Sequence, residues 1–275
     1  MTTGQLLLKA WDWEASIVIG CVFLLFAYLV VTRWRFSRRT IYYGLGVVIL
    51  LLTLCGPLDV LADNYLFSAH MVEHLILELV VPPLLLIGIP VALIRQALRH
   101  RLIARTERIL GTPALAWLLG IGTLWIWHLP ILYNAALADE NIHILQHLSF
   151  LVTATIFWWV VLAPFEYRRL SAFPEIFYLF FAAVANGILG ALLTFAPVGF
   201  YPMYEHPEDP LGALSLIRNG WQLSPQGDQQ LGGLLMWVGG GIVFLWAIMA
   251  VYSRWFRRAE ELQEPEKVTE VAERV

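Results

Sequence analysis

Residues 67–94 read FSAHMVEHLILELVVPPLLLIGIPVALI. The stretch holds no lysine or arginine, and its only acids are Glu73 and Glu78. About 20 predominantly apolar residues in a helix cross the ~30 Å hydrocarbon core of a bilayer, so this segment is long enough to span. Pro82-Pro83 and Pro90 remove backbone donors and clash with the preceding turn. They predict a kink or break in the second half, with the inner end leaving the bilayer near Arg95. Lipid cannot satisfy open strand edges, and no alternating ten-residue pattern suggests a barrel.

The rest of the 275-residue chain repeats this signal. Six further apolar segments lie near 15–32, 41–61, 113–131, 143–165, 173–196 and 231–253. Hydrophobic residues make up 59% of the chain and charged residues 14%, against about 25% charged in a soluble domain. That excludes an ordinary water-soluble enzyme, a disordered chain and, with a net charge of −3, a nucleic-acid binder. Two cysteines are too few for a disulfide framework. Lys9 is followed by Asp12, Glu14 and a full-length apolar run. This is unlike a cleaved signal, so the first segment is expected to be retained.

Arginine placement orients the spans, because cytoplasmic loops carry the excess of positive charge. One set of loops holds Arg33, Arg35, Arg38, Arg39, Arg95, Arg99, Arg101, Arg105, Arg108, Arg168, Arg169, Arg254, Arg257, Arg258, Lys267 and Arg274; the other holds only Lys9 and Arg218. The two sets alternate with every span. The reading is an all-α integral membrane protein: a seven-transmembrane-helix bundle with its N-terminus outside and its C-terminus cytoplasmic. Residues 1–258 form one membrane domain, and 259–275 form a charged cytoplasmic tail. Trp11, Trp13, Trp125, Trp127 and Trp221 outside, with Trp34 and Trp255 inside, are read as interfacial anchors.

With that orientation six of the seven histidines share the outer face. His70 and His74 stand at the outer start of the third span, His128 at the outer end of the fourth, His143 and His147 at the outer start of the fifth, and His206 in the outer loop. Residues four apart on a helix lie one above the other, so each i,i+4 pair presents two imidazoles on one side. Glu73 and Glu78 fall within the same arc, Glu78 about 12 Å deeper than His70 by helical rise, and Gln146 accompanies the second pair. An ionisable group at that depth normally faces the bundle interior and has a use. Neutral imidazole is the commonest metal ligand, and nearby carboxylates orient such ligands. The plainer alternative is interhelical hydrogen bonding; two pairs at matching depth, with His128, favour a metal or haem site. His70–His74 also fits H-x-x-E-H, a zinc-protease pattern, but no remaining catalytic set accompanies it. Met71, Met203, Met236, Cys21 and Cys55 are read as structural, and Gly187, Gly190, Gly232, Gly233 and Gly239–Gly241 as close helix contacts.

Four stretches, LFSAHMVEHLILELVVPPLLLIGIP (66–90), WHLPILYNAAL (127–137), IHILQHLSFLVTATIFWW (142–159) and SPQGDQQLGGLLMW (224–237), resemble the multi-span CtaG-type assembly factors of bacterial cytochrome c oxidases. The resemblance implies a multi-pass protein of the bacterial cytoplasmic membrane that helps build the copper centre of a haem–copper oxidase. It implies subunit I, an extracytoplasmic copper donor and membrane lipid as partners, and no catalytic turnover. Carried over, it makes His70, His74, His128, His143 and His147 the metal residues and Asp228, Gln229 and Gln230 a polar patch opening the last span. Glu73, where family members carry Gln, departs from the pattern. Copper is the expected metal; the alternatives are a haem-binding protein and a metal-free scaffold clamping subunit I.

Overall fold

A computed structural model describes residues 1–165, 170–197 and 199–272, with side chains as far as Glu261. Arg168, Arg169 and Arg274, used above for orientation, lie outside the described residues. Fifteen α-helices are present among the described residues: α1 (Thr3–Lys9), α2 (Ala15–Val31), α3 (Arg38–Cys55), α4 (Pro57–Asn64), α5 (Phe67–Leu79), α6 (Val81–Gly88), α7 (Val91–Ala97), α8 (Arg101–Leu110), α9 (Pro113–Trp127), α10 (Pro130–Ala138), α11 (Glu140–Leu162), α12 (Ala172–Phe195), α13 (Pro202–Glu205), α14 (Pro225–Leu234) and α15 (Gly241–Ala272). π-Helical turns occupy Leu216–Gly220 and Leu235–Gly240. No strand occurs among the described residues.

Proline sets many of the boundaries. Pro57, Pro113, Pro130, Pro202 and Pro225 each open a helix. There the missing N–H costs nothing and the fixed φ suits the first turn. Among the described residues, five segments are long and apolar enough to cross a membrane: Arg38–Cys55, Phe67–Gly88, Glu140–Leu162, Ala172–Phe195 and Pro225–Glu261. A sixth is reached if α8 and α9, bent by 69°, count as one. The apolar α2 has 17 residues.

Several boundaries differ from those read in the sequence. The second span stops at Cys55, because Gly56 is extended and Pro57 starts a new helix. Asp59 and Asp63 therefore sit on a separate short helix, α4. The break expected at Pro82-Pro83 falls at Val80 and is slight: α5 and α6 continue as one 22-residue span, and the chain leaves it at Ile89-Pro90. α9 ends at Trp127 after 15 residues, roughly 22 Å of helix. The last span begins early, at Pro225, and winds through a π-turn.

The α5–α6 span is the hub. It packs against α3, α4, α11 and α14, and 56% of its most apolar 18-residue stretch is buried, against 22–39% for the corresponding stretches of the other long segments. α12 packs on α9, α14 and α15. Gly190 and Gly233 permit that approach. A Cβ on Gly190 would lie 2.5 Å from the Trp237 nitrogen, and one on Gly233 2.4 Å from the Thr194 nitrogen. Gly239 and Gly241, expected in such contacts, meet almost nothing. Asn186 on α12 donates to the Met236 carbonyl at 2.7 Å, satisfying an acceptor in the π-turn. Cys21 and Cys55 are buried free thiols.

Candidate metal centre

The helix carrying the first histidine pair begins without a cap of its own, since Leu66 offers no side-chain acceptor. The first amides of a helix have no intrahelical partner. Asp228, from α14, supplies the acceptors. Its Oδ2 receives the Phe67 N–H at 2.7 Å, and its Oδ1 receives the Ser68 N–H at 3.1 Å and the Ser68 hydroxyl. Gln229 beside it donates to the Ala196 carbonyl at 2.8 Å and so closes the end of α12. Gln230 is exposed. Of the expected polar patch, then, one residue fixes α5, one fixes α12 and one faces outward.

His70 and His74 project from this anchored turn and are fully buried. α11 brings His143 and His147 opposite them, its start capped by Asp139 through the Asn141 and Ile142 amides. His128 terminates α9. The five rings form one cluster. Centroids lie 4.3 Å apart for His70–His74, 4.1 Å for His143–His147, 5.3 Å for His70–His143, 5.8 Å for His74–His147 and 5.4 Å for His74–His128. One nitrogen each from His70, His74 and His147 falls within 4.8 Å of the others, and so does a donor set from Asp63, His70 and His143. His206 is exposed and belongs to none of these groups.

The hydrogen bonds fix how these rings present themselves. Tyr204 has one proton, and it goes to the Ala62 carbonyl at 2.9 Å. Its contact with His70 Nδ1 at 2.9 Å is therefore an Nδ1–H donating to the phenol oxygen. His128 Nδ1 lies 2.7 Å from the Leu124 carbonyl, which only accepts, so this nitrogen also carries the proton. His143 Nδ1 faces Asp63 Oδ2 at 3.5 Å. In a neutral imidazole the second nitrogen then holds a lone pair. All five Nε2 atoms are buried without a hydrogen-bond partner, and His74 lacks one at Nδ1 as well. Leaving a buried polar atom unpaired costs about 1–3 kcal/mol. An interhelical network would pair these nitrogens, whereas a set of ligands keeps them bare.

An aromatic wall surrounds the rings. Tyr133 and Tyr201 lie 4.0 Å apart with their rings tilted by 33°, Tyr201 donates to the His128 carbonyl at 2.8 Å, and Phe150 lies 4.6 Å from His74. Gln146 is fully buried with both amide atoms unpaired. Glu78 lines a cavity of about 20 Å³ deeper in the bundle, with Asn186 and Trp158. Glu73, read from the sequence as a partner of the imidazoles, groups with Asp59 and Asp63 of α4 instead. Asp59, Asp63 and Tyr204 were not singled out in the sequence. The i,i+4 spacing of the two aspartates was a usable signal; the tyrosine, in a long loop, offered none.

Fold and site together define a polytopic helical membrane protein with a closed imidazole cluster fed by three helices. The chain belongs to the cytochrome c oxidase caa3 assembly factor family (Caa3_CtaG), whose model matches residues 21–258. It is similar to uncharacterized protein Mb0105 of Mycobacterium bovis, 25% identical over 245 residues, covering 80% of this chain and 36% of that one. It is similar to uncharacterized protein ML1998 of Mycobacterium leprae, 25% identical over 211 residues, covering 70% and 30%. The chain thus spans about a third of the length of these curated relatives. No solved structure matches it.

Proposed function

We propose that this protein is a seven-span component of the bacterial cytoplasmic membrane, N-terminus outside, that carries copper at an outer-face histidine cluster. It assists insertion of that copper into the catalytic centre of a haem–copper oxidase, acting on subunit I and receiving the ion from an extracytoplasmic donor. The observation that carries this reading is a cluster of five imidazoles whose Nε2 atoms are buried and unpartnered, three of them, His70, His74 and His147, bringing one donor nitrogen each within 4.8 Å of the others. Imidazole suits copper as well as zinc, iron and nickel; membership of a cytochrome c oxidase assembly family supports the choice of copper. A bare cation cannot enter hydrocarbon at acceptable cost, and imidazoles buried among helices replace its water. Tyr204, Asp63 and the Leu124 carbonyl engage Nδ1 of His70, His143 and His128 and leave each Nε2 free to ligate. More nitrogens than an ion needs, on separate helices, permit release by stepwise ligand exchange. Ring separations of 4.1–6.1 Å pack the imidazoles as one cluster rather than as a single opposed pair, which favours an ion over haem.

The test is oxidase maturation in cells lacking this protein and complemented with His70→Ala/His147→Ala. The oxidase purified from these cells is expected to keep its haem and lose copper from the catalytic centre, read as a lowered copper-to-haem ratio. A wild-type ratio, with the variant present in the membrane at normal level, would support a metal-free scaffold and refute the carrier.

A further inference from the structure

Asp59 and Asp63 stand one turn apart on α4, and α4 packs on α5. One carboxylate oxygen from each lies within 4.8 Å of the other and of a Glu73 oxygen. Both aspartates are half-buried and open toward the surface, whereas Glu73 is fully buried. No amide, hydroxyl or cationic donor of the protein reaches either Glu73 oxygen, and the neighbouring Asp59 carboxyl can donate to it only when it holds a proton. Asp63 is divided: Oδ2 faces His143 Nδ1, while Oδ1 is buried without a partner. Among the described residues no lysine or arginine is at ion-pair distance from the three, and the nearby charges of Asp12 and Glu14 are also negative.

Burying a carboxylate without a counter-charge is costly, and such groups are paired or coordinate metals. We propose that Asp59, Asp63 and Glu73 form a second, separate site for a hard divalent cation of the calcium or manganese type. Oxygen-only donors suit such ions, as nitrogen suits copper. The half-exposed aspartates supply the entrance and hydrating water, and Glu73 supplies the buried end. The cation ties α4 to α5 and holds Asp63 by one oxygen, so that the other keeps the His143 ring oriented. This site does not depend on what the imidazoles bind.

The probe is Mn²⁺, followed by electron paramagnetic resonance on the full chain in detergent after chelator treatment. The wild type is expected to bind Mn²⁺ in about equimolar amount, to release it to excess Ca²⁺, and to melt higher when either ion is added. Glu73→Gln and Asp59→Asn are each expected to weaken Mn²⁺ binding at least about tenfold and to abolish the thermal shift. Both variants remove a buried or crowded negative charge, so they are expected to fold, which size-exclusion elution checks. His74→Ala/His147→Ala, which spares Asp63 and His143, is expected to keep wild-type Mn²⁺ binding. Absence of stoichiometric Mn²⁺ would mean that the carboxyls merely share protons, and would overturn the site. So would unchanged binding in Glu73→Gln, or loss of Mn²⁺ in the histidine variant.

Discussion

Tyr204→Phe removes one oxygen from beneath the histidine cluster, and the hydrogen bonds set the size of the effect. The phenol gives its proton to the Ala62 carbonyl and receives protons from His70 Nδ1 at 2.9 Å and from the Tyr133 hydroxyl at 3.2 Å. The substitution strands all three groups in a site where Tyr204 and Tyr133 are buried. At about 1–3 kcal/mol for each stranded group, with partial relaxation, the loss of stability is roughly 2–4 kcal/mol. The effect on the metal is a separate quantity. Losing the partner that orients a ligating histidine typically lowers affinity about 10–100-fold, and His70 becomes free to rotate or to change tautomer. Competition of a Cu(I) chelator against the purified protein measures that affinity, and a thermal melt in the same detergent measures stability. Tyr133→Phe serves as the comparison, since it removes only a donor to Tyr204 and leaves the His70 contact; its copper affinity is expected to fall less. Copper binding by Tyr204→Phe within about twofold of wild type, with the melt lowered, would refute the idea that this phenol positions a ligand.

Asp228→Ala takes the acceptors from the first turn of α5. A lost cap costs about 0.5–2 kcal/mol and hydrogen bonds to a charged group somewhat more. A destabilisation of roughly 2–4 kcal/mol with weakened copper binding is therefore expected, and an unchanged melt contradicts the capping role. Burial pushes the Asp59 carboxyl up to about 7, with Asp12 and Glu14 adding to the shift and the hydrogen bond with Glu73 opposing it. An unfolded aspartate titrates near 3.9. Between these values the folded chain holds a proton the unfolded chain has lost, so this carboxyl stabilises the fold at low pH and loses that contribution as pH rises. Asp63, Glu73 and His143 also face this cluster. The comparison of metal-free Asp59→Asn with wild type isolates Asp59: the variant is expected to melt higher at pH 8, by less at pH 5, and almost equally only at or below about pH 4. A difference that is constant with pH refutes this.

The parts of the molecule legible in the sequence are those governed by composition and helical period. Lipid demands long apolar helices, so the segments near 143–165 and 173–196 correspond closely to α11 and α12. The i,i+4 pairs His70/His74 and His143/His147 share helix faces by geometry alone, and the helices that carry them pack together. What was not legible depends on packing between distant segments. Asp228 lies 160 residues from Ser68, and nothing local distinguishes a capping carboxylate from one that binds a ligand. Glu73 falls beside the imidazole stripe on a helical wheel. α4, made by the Gly56-Pro57 break, gives it a different set of neighbours. Tyr204 reaches the site because the loop after α12 folds inward over α5, and loop closure leaves no periodic trace.

The most direct test of the imidazole site is copper analysis and X-ray absorption on the detergent-purified protein loaded with Cu(I). About one copper per chain is expected, with nitrogen scatterers of imidazole type, lost when His70→Ala and His147→Ala are combined. Equal copper content in that double variant, or a sulfur-dominated spectrum from cysteine or methionine, would contradict it.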